Sequence, residues 1–300
     1  MRRTQSNPIG QYSACVERRT TAPPLSEKTR GAALSSLAVY SAFLFITARL
    51  PRAQALLLAG SERVMPNAKE SLRLNLGCGL QTPDGWVNVD GSWNARLAKR
   101  PRLRRLLTSM HFIAKDKYAI PWSSKVFIHD IRKPLPFPDG SASVIYASHV
   151  LEHLYFEEGK RLIREAFRVL GAGGILRVVV PDLNTIVQEY LGERPFGQLS
   201  GEFSSLRPAD RVNHRLLMHW PTAPSGNLLY RIYNAWQDFH SHKWMYDADS
   251  LIALFHAEGF ADARRRGCRE SQIEDVDKVE DQSRILNGAG VCVEGVKPIS

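Results

Sequence analysis

The stretch Leu72-Arg73-Leu74-Asn75-Leu76-Gly77-Cys78-Gly79 decides the fold. Its residues alternate and then run apolar, as a buried strand does, and the run ends on two glycines one residue apart. Such a pair lets the backbone turn sharply and come close to a ligand. Many loops contain a G-x-G, so its weight comes from the residues on its C-terminal side. Trp86-Val87-Asn88-Val89 reads as a second strand ending at Asp90, and an acidic residue at that tip can accept both hydroxyls of a nucleoside ribose. Thr82 stands where a dinucleotide fingerprint has its third glycine, and Asp90 comes eleven residues after Gly79, where that pattern expects about twenty. No full crossover helix fits between these strands, which disfavours a pyrophosphate seated on a long helix and, with it, NAD or FAD.

Working outward, Val126–His129 is a short apolar strand leading to Asp130-Ile131, and Pro134–Gly140 is a rigid turn. Ser143–Ala147 is the next strand, opening into Ser148-His149-Val150-Leu151-Glu152-His153. Glu157–Leu170 has the apolar spacing of an amphipathic helix, which Gly171 is expected to stop. Ile175–Val180 is a further strand, halted by Pro181-Asp182. β-branched runs separated by helices imply an α/β fold: a Rossmann-like, mostly parallel sheet with helices on both faces.

The stretch from Leu74 through Leu183 resembles the class I S-adenosylmethionine (SAM)-dependent methyltransferases, in the type 11 branch. The likeness rests on LNLGCG at Leu74–Gly79, GWVNVD at Gly85–Asp90, DIRKPLPFPDGS at Asp130–Ser141, SHVLEHL at Ser148–Leu154 and RVLGAGGILRVVVPDL at Arg168–Leu183. It extends to a narrower subgroup associated with polysaccharide biosynthesis through His242-Lys243-Trp244-Met245-Tyr246-Asp247, a helix at Asp249–Glu258, and a closing strand at Val291–Glu294, expected to be antiparallel. The resemblance implies that SAM is the cofactor, with Gly77, Cys78 and Gly79 around its methionine part and Asp90 on its ribose. Asp130 and Ile131 would flank the adenine, and Ser148 and His149 would sit by the sulfonium. Asn75 is counted with the cofactor-binding residues, but it stands where the family commonly has an acidic residue, so an ionic contact to the SAM amine is not expected there.

Methyl transfer from a sulfonium needs an acceptor held in line, and needs a base only when the acceptor arrives protonated, as a sugar hydroxyl does. Histidine suits that task. His149, Asp182 and His242 are therefore the catalytic candidates. Each has a plainer reading: His149 or Asp182 as a helix cap, His242 and its neighbours His240 and Lys243 as loop residues. Glu152 and His153 read as first-turn helix residues. No metal site is expected, because these histidines lack ligand spacing to other donors. Four scattered cysteines without a C-x-x-C pair fit a reducing compartment and disfavour zinc or disulfides.

The chain's net charge of +10 is unevenly spread: residues 1–70 carry +6, residues 96–117 carry +7, and the remainder carries −3. This divides the chain into an N-terminal extension over 1–70, disordered and then an apolar helix, and a methyltransferase domain over 71–300. Within that domain, 96–117 is a basic insertion and 184–245 an acceptor-side cover rich in aromatics such as Tyr190, Phe196, Phe203, Trp220, Tyr230, Tyr233 and Trp236. Gly31–Ala48 is uncharged but borderline in length and too polar for a clear span. It is expected to lie on a membrane or pack on the domain, with Met65 as an alternative start. The expected function is methyl transfer to oxygen on a small molecule, glycan or lipid-linked sugar, in the cytoplasm, with peripheral membrane contact through 31–60 or 96–117. A degenerate SAM-binding domain serving as a membrane-associated partner is the alternative. Nucleic acid is disfavoured, since the core is net acidic.

Overall fold

The computed structural model describes residues 71–109, 120–195, 207–216, 241–282 and 290–299. The N-terminal extension, the end of the basic insertion and most of the acceptor-side cover, including His240 and all of its named aromatics except Tyr190, lie outside the described residues. Seven strands form one sheet: β1 Leu72–Leu76, β2 Val87–Asp90, β3 Phe127–Ile128, β4 Ala142–Ser148, β5 Leu170–Pro181, β6 Ala261–Arg266 and β7 Gly290–Val296. Their order is β3-β2-β1-β4-β5-β7-β6. The first five run parallel, and β7 runs antiparallel to both β5 and β6. This is the Rossmann-like arrangement expected, with its reversed last strand.

Six helices are described: α1 Trp93–Ala98, α2 Pro101–Ser109, α3 Phe156–Val169, α4 Leu183–Leu191, α5 Pro208–Leu216 and α6 Ala248–Ala257. α3 buries Leu162, Ile163, Ala166 and Val169, residues three and four apart, against the sheet. It ends without the expected glycine stop. Leu170 is already extended at φ −68° and ψ 138°, and β5 begins there. A strand residue that pairs at once with Ala142 of β4 takes over from the helix, so no left-handed cap is needed. The basic insertion opens as α1 and α2, with Arg102 and Arg105 exposed and Leu103 and Leu106 beside them on the surface. No helix among the described residues is long and apolar enough to cross a membrane.

Parallel crossovers are right-handed, so connections running in opposite directions along a sheet lie on opposite faces. α3 joins β4 to β5 and packs with α6 on one face, around Leu74, Ile145, Val178 and Phe255. The β1-to-β2 connection runs the other way, and it is a bare loop over Gly77–Trp86. Without a helix there, the opposite face is closed by a late segment: Ile273, Val276 and Val279 pack on Trp86, Val144, Tyr146, Val179 and Cys292.

Arg177, midway along β5 and completely buried, pins that segment. Its Nε and Nη2 donate to the two oxygens of Glu280 at 2.6 and 2.9 Å. Its remaining hydrogens go to the carbonyls of Glu270 (3.0 Å) and Gly267 (2.9 Å) and to Glu294 Oε2 (3.2 Å). All five guanidinium donors are thereby used. Removing one partner of a buried ion pair strands the other charges. Arg177→Met should therefore lower the unfolding free energy by about 3–5 kcal/mol, read from urea denaturation. A loss under about 1 kcal/mol would mean that the clamp is not what holds the segment.

Candidate functional site

The parallel strands end along one rim of the sheet, where ligands of open α/β folds collect. β1 passes there into Gly77 and Gly79, both left-handed at φ 64° and 54°. Two side chains hold this loop. Asn75 is buried and donates from Nδ2 to the Gln81 carbonyl (2.9 Å) and to Asn88 Oδ1 (3.0 Å). Asp90 Oδ2 accepts from the Gly79 N–H (3.0 Å) and its Oδ1 from the Ser92 N–H (2.7 Å). The tip of β2 also touches the end of β3: a Cβ added at Gly91 would meet the His129 carbonyl at 2.6 Å and Asp130 Cα at 3.1 Å.

Beside the loop lies a small, open cleft lined by Asn75, Gly77, Cys78, Gln81, Tyr146, Ser148, Val279 and Asp281. Asn75, Gly77, Cys78 and Ser148 were candidates from sequence. Gln81, Tyr146, Val279 and Asp281 were not. Tyr146 had a signal, since strand alternation places it on the same side as Ser148. Val279 and Asp281 had none, because the late segment that brings them is set by the Arg177 cluster. Gly79, Asp90, Asp130, Ile131 and His149 lie outside this lining. Asp130 is paired with Arg132 through Nε (2.9 Å) and Nη2 (2.8 Å), and that guanidinium holds its carboxyl below the usual carboxylate range. Ile131 packs at the edge of the main core. Burial pushes the Cys78 thiol up to about 12, so it is no thiolate nucleophile near neutrality.

A second group of side chains forms just past β4. His149 is a non-glycine residue in the left-handed region, at φ 54°, anchored by its N–H to the Val179 carbonyl (2.8 Å). Strain of this kind gathers at functional positions. Its Nδ1 lies 3.0 Å from Oε1 of Glu152, which is fully buried on the short 3-10 turn Leu151–His153. Burial opposes ionisation of Glu152, but the His149 hydrogen bond and the neighbouring His153 outweigh it and lower its pKa. The segment entering α6 is stitched to the same turn. Lys243 N–H donates to the Glu152 carbonyl (2.7 Å), Lys243 Nζ to the His153 carbonyl (3.0 Å), and His153 Nδ1 lies 3.2 Å from the Ser241 carbonyl. His242 is thereby carried against His153, with ring centroids 4.9 Å apart. Burial lowers the pKa of both imidazoles.

Sequence spacing kept His149 and His242 apart and offered no ligand set. The fold gathers Glu152, His153 and His242 so that one ligand atom of each lies within 4.8 Å of the others. Asp182 takes the plainer of its two readings. It is 1% exposed, and it caps α4 by accepting from the Asn184 N–H (3.1 Å) and Thr185 Oγ1 (2.9 Å). Its carboxylate is occupied there rather than turned toward an acceptor.

Residues 97–178 match the family model described as a methyltransferase domain. Over these residues the chain is similar to the type 11 methyltransferase domains. The matched stretch runs from α1 through β5 and includes the whole histidine turn. No curated protein matches the chain. Among solved structures, the chain is similar to a Thermotoga maritima SAM-dependent methyltransferase described as a possible histamine N-methyltransferase. That pair shares 16% identity over 87% of this chain and 95% of that one, at a TM-score of 0.33. It is also similar to the YcgJ protein of Bacillus subtilis, with 14% identity over 82% of this chain and 98% of that one, at a TM-score of 0.37.

The two glycines of the loop after β1 differ in what they tolerate. A Cβ at Gly77 would meet Val150 Cγ2 at 2.4 Å, whereas one at Gly79 meets nothing within 4 Å. Both would suffer left-handed strain of roughly 1–2 kcal/mol, and Gly77 would add overpacking of roughly 1–3 kcal/mol. Gly77→Ala should thus cost clearly more stability than Gly79→Ala in paired thermal melts. Equal costs would refute this picture of the loop.

Proposed function

We propose that this domain transfers the methyl group of SAM to an oxygen of a polyhydroxylated acceptor: a small molecule, a glycan or a lipid-linked sugar. The observation that carries this reading is the His149–Glu152 pair. A buried carboxylate that holds Nδ1 of an imidazole fixes the ring's tautomer and leaves Nε2 to take a proton. Such a base is superfluous for an acceptor that arrives with a free lone pair, and it is needed for a hydroxyl.

The donor set fits the cofactor. SAM is cationic at sulfur and amine, and the cleft wall contributes the Asp281 carboxylate with no basic side chain among its lining residues. The open face of Gly79 leaves room for close approach. In this reading Asn75, Gly77, Cys78, Gly79 and Ser148 hold the methionine part and the sulfonium region, Asp90 the ribose, and Asp130 with Ile131 the adenine. Each Asp90 oxygen accepts one backbone N–H and retains capacity for a further hydrogen bond. When bound, SAM supplies a methyl group already activated by positive charge on sulfur. The chain's own work is then to align the acceptor and exclude water. His149 removes the hydroxyl proton at Nε2, and Glu152 steadies the resulting imidazolium.

A lipid-linked acceptor, in a chain resembling methyltransferases found beside polysaccharide genes, is favoured by α2. Its exposed Leu103 and Leu106 lie among arginines, as on a helix that rests on an anionic bilayer. The competing reading is a SAM-binding domain without catalysis, serving as a membrane-associated partner. It draws on Asn75 in place of an acidic residue and on the backbone contacts already made by Asp90.

Incubation of the protein with deuterated-methyl SAM and cell extract separates the two readings. We expect S-adenosylhomocysteine to form and the label to appear in hydroxyl-rich glycans or lipid-linked sugars. His149→Gln should lower turnover about 10²–10⁴-fold while the SAM dissociation constant, measured by calorimetry, stays within about twofold. Absence of turnover with every acceptor pool would sink the enzymatic reading. Label on nitrogen or carbon would sink the acceptor assignment alone.

A further inference from the structure

The geometry points to a divalent transition-metal site built from Glu152, His153 and His242, next to the residue we assign as the base. Its role rests on the acceptor assignment above, with which it shares Glu152, although all three ligands lie outside the cleft lining.

Three observations carry the proposal. The first is chemical type. Two imidazoles and one carboxylate form the donor set that proteins use for zinc in open catalytic sites and for iron in facial triads, both of which leave positions for substrate or water. The second is unmet hydrogen bonding. Among the described residues, Glu152 Oε2 and His242 Nδ1 are buried polar atoms without a hydrogen-bond partner, as are His149 Nε2 and Tyr246 Oη nearby. Glu152 is fully buried and His242 is 5% exposed. Stranding such atoms costs free energy unless something fills the gap, and a cation between them would do so.

The third is support from the surroundings. Metal-bound histidines and carboxylates are usually oriented by hydrogen bonds from their far side. Here Nδ1 of His153 is 3.2 Å from the Ser241 carbonyl, which leaves Nε2 to bind, and Glu152 Oε1 is 3.0 Å from His149 Nδ1, which leaves Oε2. The backbones of the two contributing segments are also tied together, by the Lys243 N–H on the Glu152 carbonyl at 2.7 Å.

The ligand atoms lie within 4.8 Å of one another, whereas the ligands of a tetrahedral zinc sit roughly 3.3 Å apart. Binding therefore draws the two rings and the carboxylate inward by up to about 1.5 Å. A metal so placed shares the Glu152 carboxylate with His149. Its open positions would offer a Lewis-acidic contact to an acceptor oxygen, the arrangement a vicinal diol of a sugar would satisfy.

The full-length protein, stripped with a chelator and passed into metal-free buffer, is titrated with zinc, manganese and magnesium chlorides by calorimetry, with elemental analysis of the product. We expect one zinc per chain, weaker manganese and no detectable magnesium, the order a nitrogen-rich set imposes. His153→Gln and His242→Gln should each weaken zinc at least a hundredfold, while their melting temperatures in chelator match the parent's. If either variant misfolds, X-ray absorption on the zinc-loaded parent decides. Nitrogen and oxygen neighbours at about 2.0–2.1 Å support the site, and a sulfur shell at about 2.3 Å overturns it. No zinc uptake, or uptake unaffected in well-folded variants, also overturns it. SAM calorimetry on the stripped protein keeps the two readings apart. Zinc without SAM binding would defeat only the methyltransferase assignment, and SAM without zinc binding only the metal site.

Discussion

Arg177 occupies a position that strand chemistry reserves for an apolar side chain, between Leu176 and Val178 in the middle of a seven-stranded sheet. A charge there is tolerable only if every donor finds an acceptor, and each of its five does. The acceptors come from Gly267, Glu270, Glu280 and Glu294, so one guanidinium gathers the exit of β6, the late segment and β7. Apolar residues in place of the whole cluster, glutamates included, could pack equally well, since buried ion pairs are poor sources of net stability. What the ion cluster adds is register. Fork geometry against Glu280 selects one placement of a segment that has little regular structure of its own. The wall of the cleft beside the Gly77–Gly79 loop inherits that placement, since Val279 and Asp281 flank Glu280.

This dependence explains which parts of the fold were legible in the sequence. Strands β1, β4 and β7 and helices α3 and α6 announce themselves by local period, and their observed bounds differ from expectation by a residue or two. The antiparallel closing strand was also legible. What failed was the end of α3, where Gly171 had every local mark of a helix stop. Pairing of Leu170 with Ala142 overrode it, a tertiary contact with no trace in the local pattern. The late segment was not legible either, yet its key was in plain view. A lone arginine inside Ile175–Val180 demands buried counter-charges, and Glu280 and Glu294 are acidic residues in the C-terminal part of the chain able to supply them.

The site divides in the same way. Glycines, the Asp90 tip and Ser148 stand next to strand ends, so position in the chain already locates them. The histidines are less legible, because no local spacing joins them. His153 and His242 are separated by nearly ninety residues, and only the backbone bonds between the Leu151–His153 turn and Ser241–Lys243 make them neighbours. Asp182 shows the converse. Its place after β5 suited catalysis and capping equally, and the engaged carboxylate favours the cap.

The left-handed backbone at His149 joins the two halves of the site. Along β4, Tyr146 and Ser148 face the cleft, and strict alternation would send residue 149 to the opposite face and into the core. A turn at φ 54° breaks that alternation one residue beyond the cleft and aims the imidazole at Glu152 instead. An in-line displacement needs its nucleophile on the side of the methyl group remote from the departing sulfur. The proposed base, on the same rim as the cleft but outside its lining, meets that requirement, whereas a histidine inside the cleft would compete with the proposed cofactor for space. Under the proposed reading, the left-handed turn at His149 separates the cofactor's side of the reaction from the acceptor's.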